Sequence, residues 1–192
     1  MEYFYGNPAR IMRVLLLLPV YLFFANQVCA QIYEVSNGTV HFHSDAPQEL
    51  IRAQSLHLRG AIDVNKKAFA FRIRMVSFQG FNSPLQKEHF NENYMESAKF
   101  PEAVFTGKII EDVDISKDGE YEVRAKGKMQ VHGLAQERII KAHVSTQKGA
   151  ITISSDFIIP LADHDIKIPR VVYDKLAPEI KISVNARLLP RS

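Results

Sequence analysis

The stretch Tyr121–Val131 constrains the fold more than any other part of this sequence. In YEVRAKGKMQV, apolar or small residues alternate strictly with charged or polar ones. A period of two places successive side chains on opposite faces of a strand, so this segment predicts a β-strand with one buried and one solvated face. The pair His132-Gly133 then separates it from a second strand candidate at 134–144. Because glycine in second place suits a two-residue hairpin turn, the two strands are predicted to pair antiparallel.

The same pattern recurs along most of the chain. Alternating or apolar stretches that predict further strands lie at 40–43, 56–64, 69–75, 102–110, 151–159 and 180–188. Sequences typical of turns separate them, at Asn37-Gly38, Asn65-Lys66, Lys117-Asp118-Gly119 and Lys148-Gly149. About eight antiparallel strands, each with one apolar face, must close into a barrel or fold into a sandwich to bury those faces. An eight-stranded barrel encloses either packed side chains or one elongated ligand.

One segment, SPLQKEHFNENYMES at 83–97, departs from the strand pattern. Ser83 followed by Pro84 is typical of a helix N-cap with proline in the first helical position. Several larger side chains that follow have near-helical spacing, namely Leu85, His89, Phe90, Tyr94 and Met95. The prediction is therefore an all-β domain with one short helix inserted between strands.

The first thirty residues indicate an export signal and not part of the fold. Arg13 precedes an apolar run from Val14 to Ala25, 12 residues long. A membrane-spanning helix needs roughly 20 residues, whereas the core of a signal peptide has about 7–15. We expect a signal peptide at residues 1–30, with Met12 as an alternative start, and cleavage after Ala30.

The expected mature domain, residues 31–192, contains no cysteine, because the single cysteine is Cys29. A chain without cysteine suits an oxidising compartment, so we expect a periplasmic or secreted protein with no membrane span after cleavage. A membrane anchor is disfavoured because no charged stop-transfer cluster follows the apolar run. Lipid attachment at Cys29 is disfavoured because the preceding residues, Asn26 to Val28, lack the leucine and small residues expected there.

Charge and motifs exclude several function classes. The net charge is +3, from 24 basic and 21 acidic side chains that are interleaved along the chain, so nucleic-acid binding is not predicted. No nucleophile elbow, zinc-protease motif or glycine-rich phosphate loop occurs, and no enzyme is predicted. His41 and His43 share a strand face opposite Val40 and Phe42 without a third ligand, so no metal site is predicted. His164, between two aspartates, is expected in a solvated loop.

Two longer motifs carry a resemblance to a known family. They are KEHFNENYMESAKFPEAVFTG at Lys87–Gly107 and AKGKMQVHGL at Ala125–Leu134, with a weaker third match at Ser155–Phe157. This sequence resembles the YceI-like, polyisoprenoid-binding family over essentially the whole of residues 31–189. The resemblance implies an extended, lipocalin-like antiparallel barrel with a helix near one opening. It also implies a hydrophobic tunnel for a long isoprenoid or similar lipid, and export to the periplasm.

The inward faces of the strands and the inserted helix supply the candidate site. The predicted tunnel lining consists of Phe42, Phe69, Phe71, Ile73, Met75, Phe90, Tyr94, Met95, Met129, Phe157 and Ile159. Phenylalanine and flexible methionine suit an irregular apolar ligand, although the same residues could simply fill the barrel as its core. His89 is the candidate for hydrogen bonding to a polar lipid headgroup.

The sequence therefore predicts an exported lipid-binding protein that stores, transports or senses a long apolar ligand, isoprenoid-like or fatty-acyl. No cofactor is predicted besides the bound lipid. The alternative is a solid-cored periplasmic protein, stress-related or structural, that acts through its surface. An integral outer-membrane barrel is disfavoured by the charged outward face of Tyr121–Val131, because a lipid-facing surface must be apolar. The sequence leaves open whether the protein forms a homodimer.

Overall fold

The computed structural model describes residues 31–191, so the predicted signal peptide lies outside the described part of the chain. The strands are β1 (Ile32–Asp45), β2 (Leu50–Ser55), β3 (Arg59–Asp63), β4 (Ala68–Arg74), β5 (Glu102–Ile109), β6 (Gly119–Val131), β7 (Leu134–Gln147), β8 (Ala150–Pro160) and β9 (Glu179–Pro190). Helix α1 (Pro84–His89) continues into a π-helical turn, Phe90–Tyr94. Short 3-10 turns lie at Met75–Ser77, Leu161–His164 and Arg170–Val172. No helix within residues 31–191 is long and apolar enough to cross a membrane.

The strands form one antiparallel sheet that closes on itself. From β3 to β9 each strand pairs with the next, and β9 returns to pair with β1 from Tyr33–Pro190 to His43–Lys181. On its other edge β1 pairs with β3 through its first residues and with β2 through its last. Eight of the nine strands thus complete the ring and β2 is an addition to it. The predicted antiparallel barrel of about eight strands with one short helix is confirmed.

The β6–β7 hairpin has the predicted register. Val131 lies opposite Leu134, and the connecting residues His132 and Gly133 have positive φ angles of 50° and 78°. Positive φ at both central positions defines the turn that best matches the twist of antiparallel strands. The charged residues of β6 face outward and its apolar residues face inward, as the alternation predicts.

The prediction of a turn at Asn37-Gly38 is wrong, because both residues lie inside β1. The pairing of β1 with β9 shifts register between Val35 and Asn37, which marks a bulge. A Cβ atom on Gly38 would lie 2.9 Å from the Cβ of Leu58 and equally close to Val35, so a larger residue would not fit here. Close approach of packed side chains therefore explains this glycine. The strand β2 was also not predicted.

The two ends of the barrel are built differently. Antiparallel register places the turn at 64–67, the loop 110–118 and the turn at 148–149 at one end, here called the closed end. Side chains at this end are almost completely inaccessible, namely Tyr33, Thr146, Ile151 and Leu188. The Thr146 hydroxyl donates a hydrogen bond of 2.7 Å to the Ile115 carbonyl, which fixes the loop over the core. The closed end is therefore solidly packed.

Loop 110–118 is also held to the barrel wall by charged groups. The Glu111 carboxylate accepts hydrogen bonds from the backbone N–H of Arg124 at 2.6 Å and from its Nε at 2.7 Å. Both donors favour the ionised form and lower the pKa of Glu111. Lys67 Nζ pairs with Asp112 on the same loop.

The opposite end, here called the open end, carries α1 with its π-turn, the turn at 46–49, the β6–β7 turn and the loop 161–178. Within residues 31–191, no strand pairs with the outer edge of β2. Gln54 and Gln79 form a single bridge there, with two backbone hydrogen bonds of 2.8 Å. The wall is completed by irregular chain and by the helix.

Candidate functional site

An apolar cavity of about 560 Å³ occupies the barrel interior beneath the helix of the open end. Its wall consists mainly of inward side chains of the strands, together with α1, its π-turn and residues 161–176. Ligand sites in proteins commonly measure about 300–1,000 Å³ and are mostly apolar. The fully buried Tyr33, Ile151 and Leu188 of the closed end do not contribute to the wall. The cavity wall extends as far as Ile62 and Ile109 near the closed end, and the barrel is filled beyond them.

Every residue of the predicted lining lies on this cavity wall. The strands and the turn after β4 contribute Phe42, Phe69, Phe71, Ile73, Met75, Met129, Phe157 and Ile159. The helical segment contributes His89, Phe90, Tyr94 and Met95. The alternation of each strand thus indicated correctly which side chains face the interior. That these residues contact a ligand stays a prediction.

Four phenylalanine rings form an aromatic cluster at the open end. Phe42 of β1 stacks on Phe90 with ring centroids 5.4 Å apart and planes 15° from parallel. Phe78 and Phe81 pack around this pair, with centroids 5.4 Å from Phe42 and 5.1 Å from Phe90 respectively. The cluster connects the helix to the barrel wall and lines the cavity.

Sequence reasoning missed Phe78 and Phe81. Both follow the end of β4, where the chain is neither strand nor helix, so no period identifies their inward orientation. The signal that could have found them is their position, because two phenylalanines three residues apart lie within five residues of the helix N-cap Ser83.

The inserted helix begins as predicted. The Ser83 hydroxyl accepts a hydrogen bond of 3.1 Å from the Gln86 backbone N–H, and Pro84 occupies the first turn. Gln86 Nε2 donates to the Glu49 carboxylate at 2.8 Å, which ties the helix to the turn between β1 and β2. Asn82 reinforces this link by donating to the Leu50 carbonyl at 3.1 Å.

The helix ends in a π-turn that orients the last lining residues. The Met95 backbone N–H donates to the Phe90 carbonyl at 2.9 Å, five residues earlier. The wider turn holds one extra residue, so Phe90, Tyr94 and Met95 all reach the cavity wall. Single π-turns of this kind are rare and are often found at functional sites.

Few polar groups lie on the cavity wall, and most of them already have partners. Arg72 pairs with Glu102 at 3.5 Å, and the Ser155 hydroxyl donates to the Lys141 carbonyl at 2.6 Å. His89 is exposed at the cavity opening, so its role toward a headgroup stays a prediction. Lys175, on loop 161–178, is an exposed cation of the cavity wall.

The predicted solvated position of His164 is wrong, because this residue is completely buried. Its Nδ1 lies 3.2 Å from the Leu134 carbonyl, and its own carbonyl accepts from His132 Nδ1 at 3.0 Å. Burial disfavours the charged imidazolium and lowers the pKa of His164. Beside it, Asp163 pairs with Arg138. The loop therefore packs against the β6–β7 hairpin. The burial of His164 could not be predicted from the sequence, because the aspartates on both sides of it are typical of a solvated loop.

Within residues 31–191, no three histidine or carboxylate side chains lie close enough together to hold a metal ion. His41 and His43 are half-buried on β1.

This structure is a hollow antiparallel barrel, with a closed ring of strands, a helix at its open end and an apolar cavity inside. The chain belongs to the YceI-like domain family, whose sequence profile matches residues 33–188. No protein with curated annotation matches this sequence.

Solved structures with the same fold share little sequence with this chain. A polyisoprenoid binding domain from Saccharophagus degradans, implicated in plant cell wall breakdown, has a TM-score of 0.69 at 13% identity, covering 83% of this chain and 98% of that one. BcnA from Burkholderia cenocepacia has a TM-score of 0.64 at 14% identity, covering 78% and 95%. The Campylobacter jejuni YceI protein has a TM-score of 0.57 at 14% identity, covering 73% and 84%. At such low identity these similarities concern the fold.

Proposed function

We propose that this protein binds one long apolar molecule, isoprenoid-like or fatty-acyl, in the barrel cavity, and that it stores, carries or senses this molecule without catalysing a reaction. The observation that carries the proposal is the cavity itself. Its wall is predominantly apolar, and an apolar occupant of this space of about 560 Å³ would remove that surface from water. The cavity favours this hypothesis over the solid-cored alternative.

The composition of the wall supports a chain-like ligand. Phenylalanine, methionine and branched aliphatic side chains surround the space from several strands, and polar groups are confined to a few positions. Each buried CH₂-sized unit contributes about 0.8 kcal/mol, so a long chain gains affinity with its length and without hydrogen bonds. The polyisoprenoid binding of the Saccharophagus degradans domain supports an isoprenoid as the first ligand to test.

Export to the periplasm, or secretion, completes the proposal. It rests on the signal-like features of residues 1–30 and on the absence of cysteine from residues 31–192. A carrier in an aqueous compartment shields the apolar chain of its ligand from water, which an apolar cavity inside a barrel is suited to do.

Extraction of the natively purified protein with organic solvent, followed by mass spectrometry, tests the binding. We expect one prenyl or acyl lipid per chain. Phe71→Trp and Met129→Trp place extra volume in the cavity and should abolish the lipid. Ile139→Trp is the matched control, because Ile139 lies on the outward face of β7 and is 59% exposed. It should retain the lipid.

The proposal fails if the extract is empty and the protein takes up no added prenyl lipid. It also fails if both cavity variants fold and retain the same lipid content as the Ile139→Trp control.

A further inference from the structure

The imidazole of His164 is completely buried, and one of its two nitrogens has no partner. Nδ1 lies 3.2 Å from the Leu134 carbonyl, and since a carbonyl can only accept, the proton of the neutral ring is on Nδ1. Nε2 is then the unprotonated nitrogen. It is enclosed by protein atoms and makes no hydrogen bond with any residue of 31–191. A second proton on this ring would therefore create a buried N–H group without an acceptor, which is costly.

The position of His164 connects this ring to the cavity wall. Its carbonyl accepts a hydrogen bond of 3.0 Å from His132 Nδ1, so the residue lies where loop 161–178 meets the β6–β7 hairpin. On the same loop, Leu161 and Ile166 are buried and line the cavity. A movement that carries the ring of His164 to water would therefore also displace part of the wall.

The groups that face His164 act on its charge in both directions. Burial is the main cause that lowers the pKa of His164, and the Arg138 guanidinium contributes in the same direction. The carbonyls of Leu134 and Val131 and the carboxylate of Asp163 act in the opposite direction without overcoming the burial. Asp163 is itself paired with Arg138. Low pH therefore favours a state in which the ring has left this site for water.

Three contacts of the loop persist at low pH and oppose this opening. The Asp163 carbonyl accepts from Gln136 Nε2 at 2.8 Å, and the Asp163 carboxylate stays paired with Arg138. His132 keeps its contact with the His164 carbonyl, and its Nε2 lies 3.3 Å from the Glu96 carboxylate, so a proton on this ring adds a donor toward Glu96. These contacts hold the hairpin and the π-turn in place and limit the opening to the loop.

We propose that protonation of His164 releases the segment 161–166 from the β6–β7 hairpin and thereby weakens lipid binding at acidic pH. The loop is then a pH-dependent part of the cavity wall, although the wall itself is mostly apolar. This inference rests on the proposed lipid binding and adds a trigger for release to it.

The first test measures affinity at two pH values. Farnesylacetone, an uncharged prenyl ketone, is the probe, because its own charge does not change with pH. Its dissociation constant is determined by calorimetric titration of lipid-stripped protein at pH 7.5 and at pH 5.0. We expect the wild type to bind about 5-fold more weakly at pH 5.0, well within the limit of about tenfold per pH unit for one proton.

His164→Gln removes the titrating group. Glutamine can still donate to the Leu134 carbonyl, so the variant should bind the probe equally at both pH values. His57→Gln is the matched control, because His57 is exposed and does not line the cavity. It should keep the weaker binding at pH 5.0.

Amide hydrogen exchange locates the release in the chain. The Ile166 backbone N–H donates to the Leu161 carbonyl at 3.1 Å within the segment. Its protection in the wild type, relative to His164→Gln at the same pH, should fall between pH 7.5 and pH 5.0, while amides of β9 should keep theirs. If His164→Gln does not fold, NMR titration of the wild-type ring decides instead, because a probe that favours the neutral ring must lower the pKa of His164 further.

Three results would overturn the inference while lipid binding itself stands. They are equal affinity of the wild type at both pH values, the same loss at pH 5.0 in His164→Gln, and a pKa of His164 that the probe leaves unchanged. The second result would assign the pH dependence to another group, such as His89 at the opening. If the wild type binds no farnesylacetone at either pH, the proposed function fails and this inference fails with it.

Discussion

The closed end and the open end of the barrel use the same strands and the same alternation, yet one is filled and the other is hollow. At the closed end, Ile151 and Leu188 face each other across β8 and β9 and are completely buried. Farther along the same pair of strands, Phe157 and Ile182 also face each other, but they are half-buried and line the cavity. Alternation therefore determines which side chains point inward and does not determine whether they meet.

The coverings of the two ends explain the difference. At the closed end, loop 110–118 inserts Ile115 into the core and is tied down through Thr146 and Glu111. At the open end, the cover is the helix with its π-turn, which rests on the aromatic cluster at the rim and leaves the space beneath it open. A rigid closed end can preserve the barrel shape while the open end admits a ligand.

The largest expected effect is a difference in the free energy of unfolding between truncations at the closed end and at the open end. Leu188→Ala removes a fully buried side chain from solid packing and should lower the free energy of unfolding by about 3 kcal/mol. Ile182→Ala, on the same strand, enlarges a space that already exists and should cost less than about half as much. Denaturant unfolding of lipid-stripped protein measures both. Equal costs would contradict a hollow open end.

The pH dependence of stability should show the burial of His164. Its lowered pKa means that the unfolded chain binds protons more readily than the native state. The stabilisation that comes from burying neutral His164 is complete above the unfolded pKa of about 6.5. It is lost as pH falls through the native pKa. Unfolding midpoints between pH 8 and pH 5 should therefore fall less in His164→Gln than in the wild type, since glutamine can keep the contact to the Leu134 carbonyl without titrating. Identical pH profiles would contradict this role.

The smallest expected effect comes from His143 on the outer surface, where the stabilisation changes with pH in the direction opposite to that of His164. His143 lies 2.6 Å from the Glu122 carboxylate and 2.7 Å from that of Glu120, and the hydrogen bond that it donates to Glu122 is the main cause that raises its pKa. Its stabilisation is complete below the unfolded pKa of about 6.5 and is lost as pH rises through the native value. His143→Gln should slightly destabilise the protein at pH 6 and leave it unchanged at pH 9. A larger loss at pH 9 than at pH 6 would refute this assignment.

Much of the fold could be predicted because its signals are local. The alternation of β6, the His132-Gly133 turn and the Ser83-Pro84 helix start all depend on neighbouring residues. The glycine at position 38 could not be explained in this way, because its close contact is with Leu58, twenty residues away in the sequence.

The candidate site was predictable to the same extent. The inward residues of β4 and β6 follow from period two, and the helical residues follow from their spacing. Phe78 and Phe81 lie in chain without a period, and the burial of His164 depends on contacts with the distant hairpin. Whether the interior is hollow depends on the distances between the strands and the helix. No local sequence pattern predicts those distances.

A crystal structure of the lipid-stripped protein grown with farnesylacetone tests the central claim most directly. The account predicts continuous density for one prenyl chain along the cavity wall near Phe90 and Met129, with the packing around Leu188 unchanged. An interior filled by rearranged side chains, with no density for the lipid, would contradict it.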